Sequence, residues 1–244
     1  MIILLFAGFS DKKDAKRFDE AMNRILEETI EEELRNKYKY ALIMPDQQTI
    51  DTYNKMATEY DEETAEFWHI FPHTFFDRFR ELARERGTTV LDVGSGPGRD
   101  GLILKKAGLD VTCLDASAAM VALSAQRGLS SIVGDFNHLP FTDQSFAGVW
   151  SYTALLHVPK NEIATPLTEI HRVLADNGVF GLGMIEGDTE GYKESSGVQL
   201  PRWFSYYTRA ELEALLTGHS FHVIYFEQFR PGSKNYLNFI AQKR

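Results

Sequence analysis

VLDVGSGPGRDGLIL, residues 90–104, places Gly94, Gly96, Gly98 and Gly101 directly after an apolar, β-prone run. Glycine at that density means that the backbone itself must come close to something. In an open parallel sheet a ligand sits beyond the carboxyl ends of the strands, where the first βα turn offers backbone N–H groups and a helix N-terminus. The loop has the composition of that turn.

Working outward, short β-rich runs alternate with helical ones. VLDVG precedes a helix from about Arg99 to Ala107, and DVTCLD precedes a helix from about Ala118 to Gln126. SIVGD and AGVWSY follow, then a helix from about Lys160 to Leu174 and the run GVFGLGM. This alternation describes βαβ units: an α/β fold with a mostly parallel, doubly wound sheet starting near residue 88. FHVIYFEQF (221–229) and YLNFIA (236–241), separated by RPGSKN, read as a C-terminal antiparallel hairpin.

Three segments are expected: an N-terminal extension over 1–48, a helical cap or lid over 49–87, and the core over 88–244. In the extension, Phe18, Met22, Ile25, Leu26, Ile30 and Leu34 recur at helical spacing from about Lys12 to Lys37, with an acidic face between them. The cap, helical from about Thr52 to Glu85, is rich in aromatics and interrupted at Pro72. An insertion over 186–208 is long for a connection in a compact domain, which favours a functional loop or lid.

Against 35 Asp plus Glu stand 26 Lys plus Arg, a formal charge of -9 that argues against a broad grip on nucleic acid or an anionic membrane. The opening MIILLFAGF is too short to span a bilayer and lacks a basic flank, so a cytoplasmic protein is expected. Self-association is left open. Cys113, the single cysteine, lies in an apolar strand and reads as core, and with neither HExxH nor paired cysteines no metal site is expected.

Asp115 ends the second strand 21 residues after Gly94, where a carboxylate can accept from ribose hydroxyls of any ribose-bearing cofactor. Gly96, Gly98 and Gly101 also satisfy GxGxxG, so a nicotinamide dinucleotide is one reading. Pro97 removes an N–H from the loop, however, and Asp92 would set a carboxylate beside a pyrophosphate. A cofactor with an amino group and a sulfonium suits that acidic entrance better, which points to S-adenosylmethionine.

VLDVGSGPG, then CLDAS, then GDFNHLPFTDQSFAGVWSYTALLHV, then EIHRVLADNGVFGLGM resembles the class I S-adenosylmethionine-dependent methyltransferases of the small-molecule type, over about residues 88–184. The resemblance implies a Rossmann-like, seven-stranded sheet. It further implies that Asp92, Gly94, Gly96 and Gly98 pass under the methionine part of the cofactor, that Asp115 holds the ribose, and that Ala116 flanks the adenine. Asp135 and Phe136 match the loop that meets the adenine amine, and Ser151 matches the strand end facing the methyl group. Arg99 either meets the cofactor carboxylate or is a solvated first-turn arginine.

Methyl transfer needs alignment of nucleophile and methyl, and an amine or hydroxyl acceptor needs a base as well. His157, after the fourth strand in ALLHVP, is the candidate, the alternative being that it only packs; His171, inside EIHRVL, reads as structural. Tyr53 and Tyr60 resemble an N-terminal lid segment closing over the cofactor, and Trp203, Tyr206 and Tyr207 in the insertion either line the acceptor site or anchor the loop. The expected function is methyl transfer to a small molecule. A transfer RNA or protein acceptor, a nicotinamide-dependent oxidoreductase and a non-catalytic binder of S-adenosylmethionine are the alternatives.

Overall fold

A computed structural model describes residues 46–244 apart from 70, 72, 196 and 197, so the expected helix over 12–37 lies outside the described residues. Two helices precede the sheet. Gln47–Glu63 (α1) is capped by Asp46, whose carboxylate accepts from Thr49 N at 3.2 Å, and His73–Arg84 (α2) begins one residue after Pro72.

The strands are Thr89–Val93 (β1), Asp110–Asp115 (β2), Ser130–Val133 (β3), Phe146–Tyr152 (β4), Leu174–Ile185 (β5), Phe221–Phe229 (β8) and Tyr236–Lys243 (β9), in the order β3-β2-β1-β4-β5-β9-β8. The first five are parallel; β9 runs antiparallel to both β5 and β8. Arg99–Lys106 (α3), Ala118–Gln126 (α4), Ala164–Val173 (α5) and Arg209–Gly218 (α6) connect them. Chain reversal between β1 and β4 makes a topological switch point at the carboxyl end of β1, where α/β sheets hold their ligands.

Both faces of the sheet are buried, which is why its strands read as near-continuous apolar runs. One face packs Leu91, Val149 and Phe180 against Leu167, Ile170 and Leu216 of α5 and α6. The other packs Val90, Cys113 and Trp150 against Phe75, Phe79 and Ala83 of α2 and Leu104 of α3. Thus α2, expected as part of a cap, is a layer of the sandwich. Gly148 and Gly181 leave room for it, since a Cβ at either would lie 3.0 Å or less from the Phe79 ring.

The insertion is not a structureless loop. Glu190–Ser195 (β6) and Val198–Ser205 (β7) form a separate antiparallel pair docked on α1. Thr49 Oγ1 accepts from Trp203 N at 2.8 Å, and Thr52 Oγ1 donates to Pro201 O at 3.0 Å. Pro201 breaks the sequence signal of a strand, yet here its carbonyl serves the helix contact. Among the described residues no helix is long and apolar enough to cross a membrane.

Candidate active site

One cavity of about 470 Å³ opens over the switch point, a volume suited to a small organic ligand. Its two ends differ in chemistry.

At the β1 end the loop turns immediately after Val93. Gly94 N donates to Leu114 O at 2.8 Å with φ +67°, and a Cβ there would lie 2.2 Å from Ala154 Cβ. Gly94 is therefore required by packing against the segment after β4. Gly96 is different: at φ +51° it lines the cavity, and a Cβ would meet nothing within 4 Å. That open space over bare backbone is the cradle a ligand would fill. Gly98 caps α3 against Ser124 and is not among the lining residues.

Asp115 accepts from Gly96 N and Ser117 N, both at 2.8 Å, which aims its carboxylate into the loop. Burial raises its pKa, and those two N–H groups oppose the shift. Asp92 is 2% exposed, and burial first, then the charges of Asp100 and Asp115, hold it well above the ordinary carboxylate range. Asp100 accepts from Trp150 Nε1 at 2.8 Å. Three carboxyls around one end of a cavity repel one another, and a cationic ligand relieves that repulsion. The amino group and sulfonium of S-adenosylmethionine fit this donor set.

Ala116 and Phe136 line the same end. Asp135 does not; its carboxylate accepts from Asn137 N at 2.9 Å in its own turn. Ser151 is fully buried, one residue short of the cavity wall, and its hydroxyl has no hydrogen-bond partner among the described residues. Arg99 reaches the wall, but its guanidinium is engaged. Its Nε donates to Asp61 Oδ1 at 2.8 Å and its Nη2 to the Asp61 carbonyl, while Arg127 donates to Asp61 Oδ2 at 2.5 Å. Asp61 thereby pins α1 to the starts and ends of two core helices, and Asn54, accepting from Ser117 Oγ at 2.8 Å, adds a second anchor.

The other end is walled by α1, the β6–β7 hairpin, the end of β4 and the β8–β9 turn. Tyr53 and Tyr60 line it, their rings edge to face at 5.4 Å, with both phenols pushed up by burial and so neutral. Thr153 stands in the left-handed region at φ +54°, a conformation that costs a β-branched residue about 1–3 kcal/mol and that clusters at functional sites.

His157 has both ring nitrogens committed. A carbonyl can only accept, so Nδ1 donates to Trp203 O (2.5 Å), and Nε2 must then accept from the Tyr53 hydroxyl (2.8 Å). Arg202 Nη1 in turn donates to Tyr53 Oη at 2.8 Å. Burial pulls the imidazole down to about 4. His157 thus meets the cavity as a neutral group behind Tyr53, rather than as an open base.

Phe204 lines the cavity, whereas Trp203, Tyr206 and Tyr207 do not. Trp203 donates from Nε1 to Ser205 Oγ at 2.9 Å, Tyr206 stacks on Phe204, and Tyr207 lies under Lys160, so these three hold the hairpin in place. Sequence reasoning did not single out Asn54, Asp61, Arg202 or Lys234. The partners of the first three lie 38 to 149 positions away, and no local pattern marks such pairs.

A family profile described as a methyltransferase domain matches residues 90–178. The chain is 32% identical over 154 residues to a sterol 24-C-methyltransferase of Gibberella zeae, covering 53% of this chain and 40% of that one. It is 29% identical over 150 residues to a Staphylococcus carnosus methyltransferase, covering 59% and 72%. A malonyl-[acyl-carrier protein] O-methyltransferase of Erwinia billingiae is 33% identical over 108 residues, covering 43% and 42%. The chain therefore spans about two-fifths of the length of two of these three relatives. Among solved structures, the Burkholderia thailandensis 1,6-didemethyltoxoflavin-N1-methyltransferase with S-adenosylhomocysteine has a TM-score of 0.62 at 21% identity, covering 82% of this chain and 90% of that one. A Haloferax volcanii methyltransferase in complex with an activator protein has 0.64 at 20%, covering 80% and 96%. At those identities the likeness is one of fold.

Proposed function

Because this chain carries a class I S-adenosylmethionine-dependent methyltransferase domain, we propose that it transfers a methyl group to a small molecule held at the acceptor end of the cavity. The cofactor supplies a methyl already activated on a sulfonium. The observation that carries the reading is that one cavity is lined both by acids and bare backbone at the β1 and β2 ends and by aromatic rings from α1 and the hairpin.

In this reading Asp115, Asp92, Gly94 and the Gly96 backbone hold the cofactor, with Ala116 and Phe136 beside its base, and Ser151 is placed behind the wall they share. Asp135 supports that loop through its turn. The chain's main contribution to rate is alignment and exclusion of water, which can supply roughly 7–11 kcal/mol. Tyr53 and Tyr60 on α1 close one side, and the hairpin, braced by Trp203, Tyr206 and Tyr207, closes another. His157 acts through Tyr53: with both nitrogens occupied it fixes the phenol against Arg202 and so positions the acceptor. A cavity of this size with aromatic walls favours a small acceptor, and the charge of -9 disfavours transfer RNA.

The test is to incubate the protein with methyl-labelled S-adenosylmethionine and, separately, small-molecule, RNA and protein fractions of a cell extract. Label appearing in the small-molecule fraction is expected. Label confined to RNA or protein would overturn the choice of acceptor.

A further inference from the structure

Among the described residues, three cations line the cavity: Arg99, Arg202 and Lys234. Arg99 belongs to the cofactor end and is bound by Asp61. Arg202 and Lys234 belong to the acceptor end, and they arrive from different elements.

Arg202 comes from β7. It is 5% exposed, with its guanidinium 5.0 Å from the Tyr53 ring centre and 5.3 Å from that of Phe204. Packed between two rings and tied to the Tyr53 hydroxyl, it is a fixed, oriented charge. Lys234 comes from the turn between β8 and β9. Because β9 is antiparallel to β5 and pairs Tyr236 with Ile185, that turn stands at the carboxyl ends of the parallel strands, where Glu186 N donates to Asn235 O at 2.8 Å. Lys234 makes no ion pair or hydrogen bond among the described residues. Its side chain is exposed, and partial desolvation of the ammonium against the cavity wall, then the charge of Arg202, pull it below its ordinary range.

Aromatic rings line the same cavity. Tyr152 stacks on Tyr236 with centroids 6.0 Å apart, and Phe67 packs against both. The Tyr152 hydroxyl is buried with no hydrogen-bond partner among the described residues, which leaves a donor unused at the wall of the cavity. In a chain of net charge -9, two cations beside aromatic walls are an uncommon pairing, and Asp46 and Glu63, at the two ends of α1, line the same cavity.

From this juxtaposition we infer that the methyl acceptor is an acid, an aromatic or apolar body carrying a carboxylate that Arg202 and Lys234 receive. The inference rests on the methyltransferase reading. A carboxylate could also come from the cofactor's own methionine end, so the two sources must be separated.

Calorimetric titrations of S-adenosylhomocysteine-saturated protein with phenylacetate, indole-3-acetate and 4-hydroxybenzoate, each beside its neutral amide, make the test. At least one acid is expected to bind tenfold or more tightly than its amide. Lys234→Met, at an exposed turn position, should erase that preference and leave S-adenosylhomocysteine affinity within twofold; Arg202→Lys should weaken it. Amides binding as tightly as acids, or no acid binding, overturns the inference. Loss of S-adenosylhomocysteine affinity in Lys234→Met also overturns it, by assigning the cations to the cofactor's carboxylate. Failure of S-adenosylhomocysteine to bind the wild-type protein would count against the methyltransferase reading instead, and the same acid and amide pairs titrated without it would still decide the preference.

Discussion

The two ends of the cavity are built in opposite ways. The cofactor end comes from Asp92 to Phe136, two consecutive βα turns and the loop after β3, in which acids and bare backbone face inward. The acceptor end is assembled from α1, the end of β4, β7 and the β8–β9 turn, and presents rings, the cations Arg202 and Lys234, and Asp46 at the start of α1. The first is one local motif repeated; the second exists only after the chain has closed on itself. Chemistry common to a family resides in the motif, and specificity resides in the assembled wall.

The largest expected effect breaks the contact between the ends. Gly94→Ala would force a Cβ to 2.2 Å from Ala154 Cβ at φ +67°, so a loss of about 3 kcal/mol is expected in urea unfolding, with both ends disturbed together. An unchanged midpoint would show that the two ends do not meet there.

The ends also titrate in opposite senses. Asp92 and Asp115 are raised, so their stabilising contribution is present at low pH and lost as pH rises through their folded values. His157 is lowered from 6.5 to about 4; the unfolded chain binds the proton first, so its contribution is full above pH 6.5 and lost as pH falls toward 4. The difference between wild type and His157→Gln isolates the second trend, and it should amount to about 2–3 kcal/mol across that window by urea unfolding. A flat difference would mean that His157 is not held neutral.

Tyr53→Phe sharpens the comparison further. It removes the hydroxyl that donates to His157 Nε2 and accepts from Arg202 Nη1, at a cost of about 1–2 kcal/mol. Acceptor KM should rise about tenfold while S-adenosylhomocysteine affinity stays unchanged. The smallest effect is at the seam: Asp61→Asn should cost about 1 kcal/mol and speed amide hydrogen exchange along α1, because only a partly exposed ionic anchor is weakened.

How much the sequence disclosed follows the same division. The alternation of strands and helices, the hairpin and the glycine loop were legible because each is set by neighbours within a few positions. Asp115 stood out by its spacing from Gly94. The role of α2 was not legible, since an aromatic amphipathic helix looks alike over a cavity or over a sheet until Gly148 and Gly181 are seen to admit Phe79. The β6–β7 pair was hidden by Pro201. Arg99, next to the glycines, pointed toward the cofactor, yet its partner Asp61 lies 38 residues earlier. Arg202 and Lys234 carried no signal at all, because what distinguishes them is that distant elements bring them to one space.

The most direct measurement is calorimetric binding of S-adenosylmethionine, S-adenosylhomocysteine and NAD to the wild-type protein and to Asp115→Ala. The account predicts that both sulfur ligands bind, that Asp115→Ala weakens them about a hundredfold by removing the carboxylate that orders Gly96 and Ser117, and that NAD does not bind. Binding of NAD, or an Asp115→Ala variant that holds S-adenosylhomocysteine as well as wild type, would contradict it.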